Sequence, residues 1–313
     1  MTEPVPTQIW NEAWPAAKPR LSVLIPFLRD DPCALIAALS RQSLAQTGAV
    51  ELVLLDDASL DPDLTRAVEA AGAACALPAL LLSSMVNFGR AKGRNQLVAA
   101  ARADWLLFLD GDMLPDSATF LQTYLDLIDA MAPAVVFGGF SLQQAPPQRE
   151  HALHRRMALG TDCASVEQRR LAPEKHVFTS NLLVRRDVFE TERFDEGFAG
   201  WGWEDVEWAM RVIRRHPIVH ISNTATHLGL DPAWAMARKY EQSAANFARV
   251  VSGHREIVEH YPSYRVARAL KHLPLRNAWR PLLKQFALTE AAPLGARALA
   301  MRLYRAALYT EAV

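Results

Sequence analysis

The chain has 313 residues, 34 Lys+Arg against 34 Asp+Glu, and a formal net charge of 0, so it offers no overall basic surface and no nucleic-acid partner is expected. Half of its residues are hydrophobic and 22% are charged, as in a globular protein able to bury a proper core, and its length suggests one large or two ordinary domains. Cys33, Cys75 and Cys163 are odd in number and far apart, which excludes a disulfide framework and points to a thiol-reducing cytoplasm. Residues 1–20 are polar and proline-rich without the apolar core of a secretory signal, and no run reaches about eighteen uncharged apolar residues, so a cytoplasmic location without a transmembrane helix is expected.

In chain order, residues 1–20 read as a loose arm. The apolar run Leu21–Phe27, stopped at Pro26, reads as a first strand, and residues 32–46 have helical spacing. Residues 50–55 form a second strand ending in Asp56-Asp57-Ala58-Ser59, followed by an alanine-rich helix over 61–74. A third strand is expected at 80–83, a helix at 90–102, a fourth strand at 104–109, a helix at 117–131 and a strand at 134–139. Residues 143–175 read as a polar, basic insertion that could form a mobile loop over a site. Strand-like residues 177–184, a helix at 204–215, a last strand at 218–223, a long helix at 232–260 and further helices complete the chain. This alternation implies an α/β fold with a mostly parallel, doubly wound sheet flanked by helices and a helical C-terminal extension.

Ligands of such sheets bind beyond the carboxyl ends of the strands. There the fourth strand runs into Asp110-Gly111-Asp112. On an extended backbone these two carboxylates would point the same way and could seat a divalent metal; the alternative is a polar Asp-Gly turn. Asp56 and Asp57, on the same rim, could accept a hydrogen bond from a base or ribose, or simply cap the following helix. The segment 87–95, Asn-Phe-Gly-Arg-Ala-Lys-Gly-Arg-Asn, enters a helix with glycines and cations that suit an anion, or else forms a solvated basic face. No dinucleotide fingerprint or P-loop is present. In the stretch 200–208, Gly-Trp-Gly-Trp-Glu-Asp-Val-Glu-Trp, aromatic platforms for a sugar ring stand beside Glu204 and Asp205, where a carboxylate could act as general base; the alternative is a core tryptophan cluster. His227 could complete a metal site or be structural. Residues 260–289 hold Arg265, Arg268, Lys271, Arg276, Arg280 and Lys284 among apolar side chains, with no Asp or Glu. That composition suits either peripheral contact with an anionic membrane, in short pieces broken at Pro274 and Pro281, or helices packed on the rest of the chain.

Together, residues 22–26, 54–59, 87–95 and 109–112, in this order and spacing, resemble the family-2 glycosyltransferases of GT-A fold, and residues 180–189 and 194–196 continue the likeness, which spans roughly 20–230. The Gly-Trp-Gly-Trp-Glu-Asp stretch is similar to the acceptor motif of galactosyltransferase C-terminal regions and chondroitin-polymerase-like enzymes. The resemblance implies an arm (1–20), a GT-A domain (21–230, nucleotide half to about 115, acceptor half beyond) and a helical extension (231–313). It implies an inverting transferase of hexosyl type in polysaccharide biosynthesis, moving a sugar from a nucleotide-sugar donor, UDP-linked first, to a glycan or lipid-linked saccharide, with Mn²⁺ or Mg²⁺ as cofactor. Pro26 and Phe27 would border the base and Asp57 would bind it. Arg94 would hold the nucleotide and its phosphates. Asp110 would serve ribose and metal, and Asp112 and His227 would ligate the metal. Asp205 would be the catalytic base, with Glu204 binding sugar and Trp201 stacking on it. The first strand ends Pro-Phe-Leu-Arg rather than Pro-Thr/Ser-Tyr-Asn, and Trp203 stands where the galactosyltransferase form has glycine, which should reshape the sugar pocket; galactose is therefore not carried over as donor. Alternatives are a sugar-nucleotide nucleotidyltransferase, which would need a glycine-rich loop after the first strand, and a non-catalytic sugar-binding or membrane-peripheral protein.

Overall fold

In the computed structural model, which describes residues 5–42, 44 and 47–313 and the backbone alone of Arg276 and Asn277, the arm is not loose throughout. Thr7–Trp10 (β1) pairs antiparallel with residues 80–83 and forms one edge of an eight-stranded sheet. Residues 1–4 lie outside the described residues, as do 43, 45 and 46 of the helix expected over 32–46.

The next elements follow the expected order. They are Leu21–Phe27 (β2), Cys33–Ser40 (α1), Val50–Asp57 (β3), Pro62–Ala73 (α2), Ala79–Ser84 (β4), Arg90–Ala100 (α3) and Trp105–Phe108 (β5). All eight residues of β3 are buried, as befits a central parallel strand covered on both faces. Alternation along β2 sends Leu21, Val23 and Ile25 to the layer of Leu35, Ile36 and Val68, and Leu24 to the layer of Ala91, Leu97 and Trp208. After β5 come Met113–Pro115 (β6), Phe120–Met131 (α4), Val135–Phe137 (β7) and Phe140–Ser141 (β8).

The expected mobile loop over 143–175 is instead built and docked. It contains Ala152–Ala158 (α5) and Val166–Arg169 (α6). Leu153 and Met157 are core residues, and the buried Arg169 guanidinium donates to Phe137 O (3.3 Å) and Ile221 O (2.9 Å). Its lack of long apolar runs reflects short helices held by arginine–carbonyl bonds rather than a large apolar face.

Leu182–Arg185 (β9) runs antiparallel between β5 and β7 and leads into Arg186–Thr191 (α7) and Glu204–Val212 (α8). Ile218–His220 (β10) extends the sheet, whose order is β1-β4-β3-β2-β5-β9-β7-β10. The sheet is parallel over β4-β3-β2-β5 and mixed at its flanks, and the strand order turns back between β2 and β5, the switch point where α/β folds bind ligands. A further short strand that periodicity missed, Ala225–His227 (β11), joins β6 and β8 in a second, three-stranded sheet.

The extension comprises Ala233–Val258 (α9), Pro262–Lys271 (α10), Arg276–Leu288 (α11) and Leu294–Leu308 (α12). It shares a core with the preceding domain: Trp203, Val206 and Met210 pack with Phe247, Val250 and Tyr309. Among the described residues no helix is long and apolar enough to cross a membrane.

Candidate active site

The carboxyl ends of β2 and β5 meet at Asp110-Gly111-Asp112, which is a turn and not an extended segment: Met113 N donates to Asp110 O at 3.1 Å. A Cβ on Gly111 would lie 3.2 Å from Phe27 Cβ and 3.4 Å from Pro32 Cβ, so the turn packs tightly on the end of β2. The turn sends its two carboxylates to different partners. Asp110 accepts from Arg94, whose side chain is 2% exposed. Asp112 faces His227, with Oδ2 3.1 Å from Nε2.

The second sheet explains that meeting. β6 pairs antiparallel with β11, placing His227 opposite Met113, and Leu228 N donates to Asp112 O at 2.9 Å. Gly229 is also required: a Cβ there would overlap Asp112 Oδ2. Burial alone would raise the Asp112 carboxyl, but the hydrogen bond and charge of His227 hold it below its ordinary value. Burial would lower the His227 imidazole, and Asp112 reverses this. Asp112 Oδ1 is buried without a protein partner, an oxygen left over after the imidazole is served.

A second carboxylate pair opens α8. Trp203, held at φ 78°, turns the chain into the helix, so that Glu204 and Asp205 occupy its first turn near free backbone N–H groups. Arg90 Nε donates to Glu204 Oε1 at 2.5 Å, and its Nη2 lies 3.9 Å from Asp110 Oδ2, so one guanidinium joins the two acidic pairs. Arg94 supports it by donating to Arg90 O at 3.2 Å. Burial would raise Glu204, but Arg90 and then Arg94 hold it below its ordinary value. Among the described residues Asp205 has no arginine of its own. Burial first, and then the charge of Glu204, push its carboxyl up to about 7.

A third cluster lies behind His227. The His154 ring is 6.0 Å from the His227 ring, and His154 Nδ1 accepts from Asp231 N at 2.7 Å. Asp231 accepts from Lys239 Nζ at 2.6 Å. Burial and the neighbouring His227 push His154 down to about 4.

The sequence model of Glycosyl transferase family 2 matches residues 22–192, more than half of the chain, from β2 through α7. The chain belongs to this family. Solved structures agree on the fold. The mannosyltransferase PcManGT from Pyrobaculum calidifontis, in complex with GDP-Man and Mn²⁺, is similar with a TM-score of 0.59 at 15% identity, over 97% of this chain and 90% of that one. Residues 1–349 of S. aureus TarS give 0.50 at 16% identity over 91% and 89%. Glucosyl-3-phosphoglycerate synthase from Mycobacterium tuberculosis, in complex with phosphoglyceric acid, gives 0.50 at 17% over 74% and 79%. Among curated proteins there is no match. The protein is thus a glycosyltransferase of GT-A fold. The match to the family ends before Gly200, so the galactosyltransferase and chondroitin-polymerase likeness of the acceptor motif remains a resemblance of sequence.

The glycosyltransferase links Arg94, Asp110 and Glu204 into one network through Arg90, sets Asp205 beside Glu204 in the first turn of α8, and brings Asp112 to His227. Other expected residues sit differently. Phe27 is a core side chain, 4% exposed, packed behind Gly111, whereas Pro26 keeps partial exposure. Asp57 uses both oxygens on backbone, accepting from Phe88 N (2.6 Å) and Gly89 N (3.0 Å), so it occupies donors at the start of α3 that had been expected to hold an anion. Asp56 accepts from Ser59 N at 2.8 Å, while the cap of α2 is Asp61. Trp203 and Trp208 are core residues, so Trp203 does not reshape a sugar pocket; Trp201 is half-buried, 6.0 Å from the Tyr240 ring. Asp110 turns to Arg94 while Asp112 turns to His227, and among the described residues no three His, Cys, Asp or Glu are already grouped to hold a metal ion. His154, Asp231 and Lys239 carry no signal in the sequence, and Arg90 reads there only as one of the cations of segment 87–95. Its place as the first residue of a helix that follows a glycine is the signal that could single it out.

Proposed function

We propose that the protein is an inverting, metal-dependent transferase that moves a sugar from a nucleotide-sugar donor, UDP-linked first, to a hydroxyl of a glycan or lipid-linked saccharide. The observation that carries this reading is Asp205: a carboxyl raised to about 7, beside an ionised Glu204 that Arg90 joins to the Asp110 turn. A base with that affinity can take the acceptor proton near neutrality as the acceptor oxygen attacks the anomeric carbon opposite the departing diphosphate. Glu204 is ionised by its arginine, which suits it to accept hydrogen bonds from sugar hydroxyls, and the partly exposed face of Trp201 suits a sugar ring. Arg94 and Arg90 supply positive charge toward the diphosphate, Pro26 borders the base, and Asp57 holds the Phe88–Gly89 backbone that frames that side.

The residues present fit a hard divalent cation. An imidazole and a carboxylate stand 3.1 Å apart, the carboxylate keeps one buried oxygen without a partner, and Gly229 leaves its place clear. Asp112 and His227 would hold Mn²⁺ or Mg²⁺, with donor and water oxygens completing the set. Such an ion supplies neutralisation of the charge on the departing nucleoside diphosphate. That PcManGT was solved with GDP-Man and Mn²⁺ supports the donor class and the ion without fixing the base.

The test is a screen of UDP-, GDP- and other nucleotide sugars for Mn²⁺-dependent binding and turnover, followed by NMR of the product anomer. Inversion with loss of turnover in EDTA is expected. Retention of configuration, or full turnover in EDTA, would sink the reading.

A further inference from the structure

Residues 260–289 carry six Lys or Arg and no Asp or Glu, and the structure sorts these cations from the apolar residues between them. Pro274 separates α10 from α11, whereas Pro281 lies inside α11 without ending it; the Arg276 side chain lies outside the described residues. α11 packs Leu283 and Leu288 on the protein together with its described cations. Arg280 Nη2 donates to Thr310 Oγ1 (2.6 Å) and Glu311 Oε1 (2.9 Å), Lys284 Nζ donates to Glu241 Oε1 (2.7 Å), and Ala287 is fully buried.

A second apolar side faces out. Leu275 is 78% exposed, Leu282 68% and Phe286 45%, with the half-buried Trp279 among them. These four fall at i, i+4, i+7 and i+11, a single helical stripe. Leu273, 49% exposed, carries the stripe into the turn before α11, where Trp279 Nε1 donates to Pro274 O at 3.0 Å. Leu275 is displayed by a left-handed backbone, φ 57°, which a leucine adopts only at a cost. A water-facing amphipathic helix keeps its large apolar side chains inside; α11 shows this second apolar stripe outside as well. Leading into the stripe, Arg265, Arg268, Lys271 and His272 are exposed at and beyond the end of α10.

We propose that this face lies on an anionic membrane surface, with Leu275, Leu282 and Phe286 at the boundary of headgroups and acyl chains and the cations of α10 against the headgroups. Charge decides the occupant. A two-fold contact with a second copy would bring the same basic helix end against itself, with no carboxylate from 260–289 to relieve it, whereas anionic lipid complements it. The inference goes beyond sugar transfer and stands whatever the acceptor is.

The test uses the full chain, sedimented with vesicles of phosphatidylcholine alone or containing phosphatidylglycerol, with light scattering to report its mass. Binding should require phosphatidylglycerol and weaken in high salt. The pair Leu282→Glu and Phe286→Glu, both exposed and so compatible with an unchanged melting curve, should lower partitioning at least about tenfold. Arg265→Ser with Arg268→Ser should lower it by a similar factor and flatten the salt dependence. Equal partitioning to both vesicle types, no partitioning, or a wild-type dimer that Leu282→Glu and Phe286→Glu make monomeric would each overturn the proposal, the last in favour of a second copy of the chain.

Discussion

The Asp110-Gly111-Asp112 turn and the Glu204-Asp205 start of α8 are two acidic pairs treated alike by the fold. In each, one carboxylate takes an arginine: Asp110 takes Arg94, and Glu204 takes Arg90. The other is left over. Asp112 stays with His227 and one bare oxygen, while Asp205 accepts only from its neighbour Val206 N. The outcomes differ because the surroundings differ. Against the effect of burial an imidazole draws Asp112 down into the ionised form, whereas burial and then an adjacent carboxylate drive Asp205 up toward neutrality. Environment rather than residue type therefore separates an ion-holding carboxylate from a proton-accepting one.

The largest way to break this comparison is to remove the base. Asp205→Asn should lower transfer by roughly 10²–10⁴-fold while calorimetry shows donor binding intact. On the other pair, Gly229→Ala should displace the Asp112 carboxylate and abolish Mn²⁺-induced thermal stabilisation as fully as Asp112→Asn does; normal stabilisation in Gly229→Ala would show that Asp112 is not held as described. The coupling between the pairs is sharpened by Arg90→Met. Without that cation Asp205 should hold its proton more tightly, so the ascending limb of the rate profile should move up by about one pH unit; an unmoved limb would remove Arg90 from the account.

Stability gives a smaller test with a definite sign. Asp205 binds its proton more tightly in the fold, at about 7, than at its ordinary value of 3.8. Its stabilising contribution is therefore present below that ordinary value and is lost as pH rises through about 7. Asp205→Asn, neutral throughout, should raise Tm by a few degrees at pH 8 and leave it unchanged at pH 4; equal shifts at both would mean that no buried charge was relieved. Trp203→Ala, by contrast, should cost about 3–5 kcal/mol in denaturant unfolding, as expected of a core tryptophan; a loss confined to sugar binding would return Trp203 to the pocket.

The central sheet was legible because its strands are apolar on both faces and bounded by turn residues, a pattern that local sequence carries. The D-G-D motif was legible as a candidate site but not in its geometry: the same Asp-Gly forms a turn that sends its carboxylates to Arg94 and His227. β11 was missed because three residues cannot show a period, although it carries His227 to Asp112. The Gly-Trp-Gly-Trp stretch misled in part, since tryptophan beside glycine looks the same whether it faces a sugar or a helix packed against it. Arg90 and His154 find partners far along the chain, which spacing alone could not reveal.

The most direct test of the central claim is the pH dependence of kcat/KM for transfer by the wild-type protein with its best nucleotide sugar, beside Asp205→Asn. The account predicts an ascending limb near pH 7 that disappears, with nearly all turnover, in Asp205→Asn while donor affinity persists. Transfer by Asp205→Asn at the wild-type rate, with the limb still present, would contradict it.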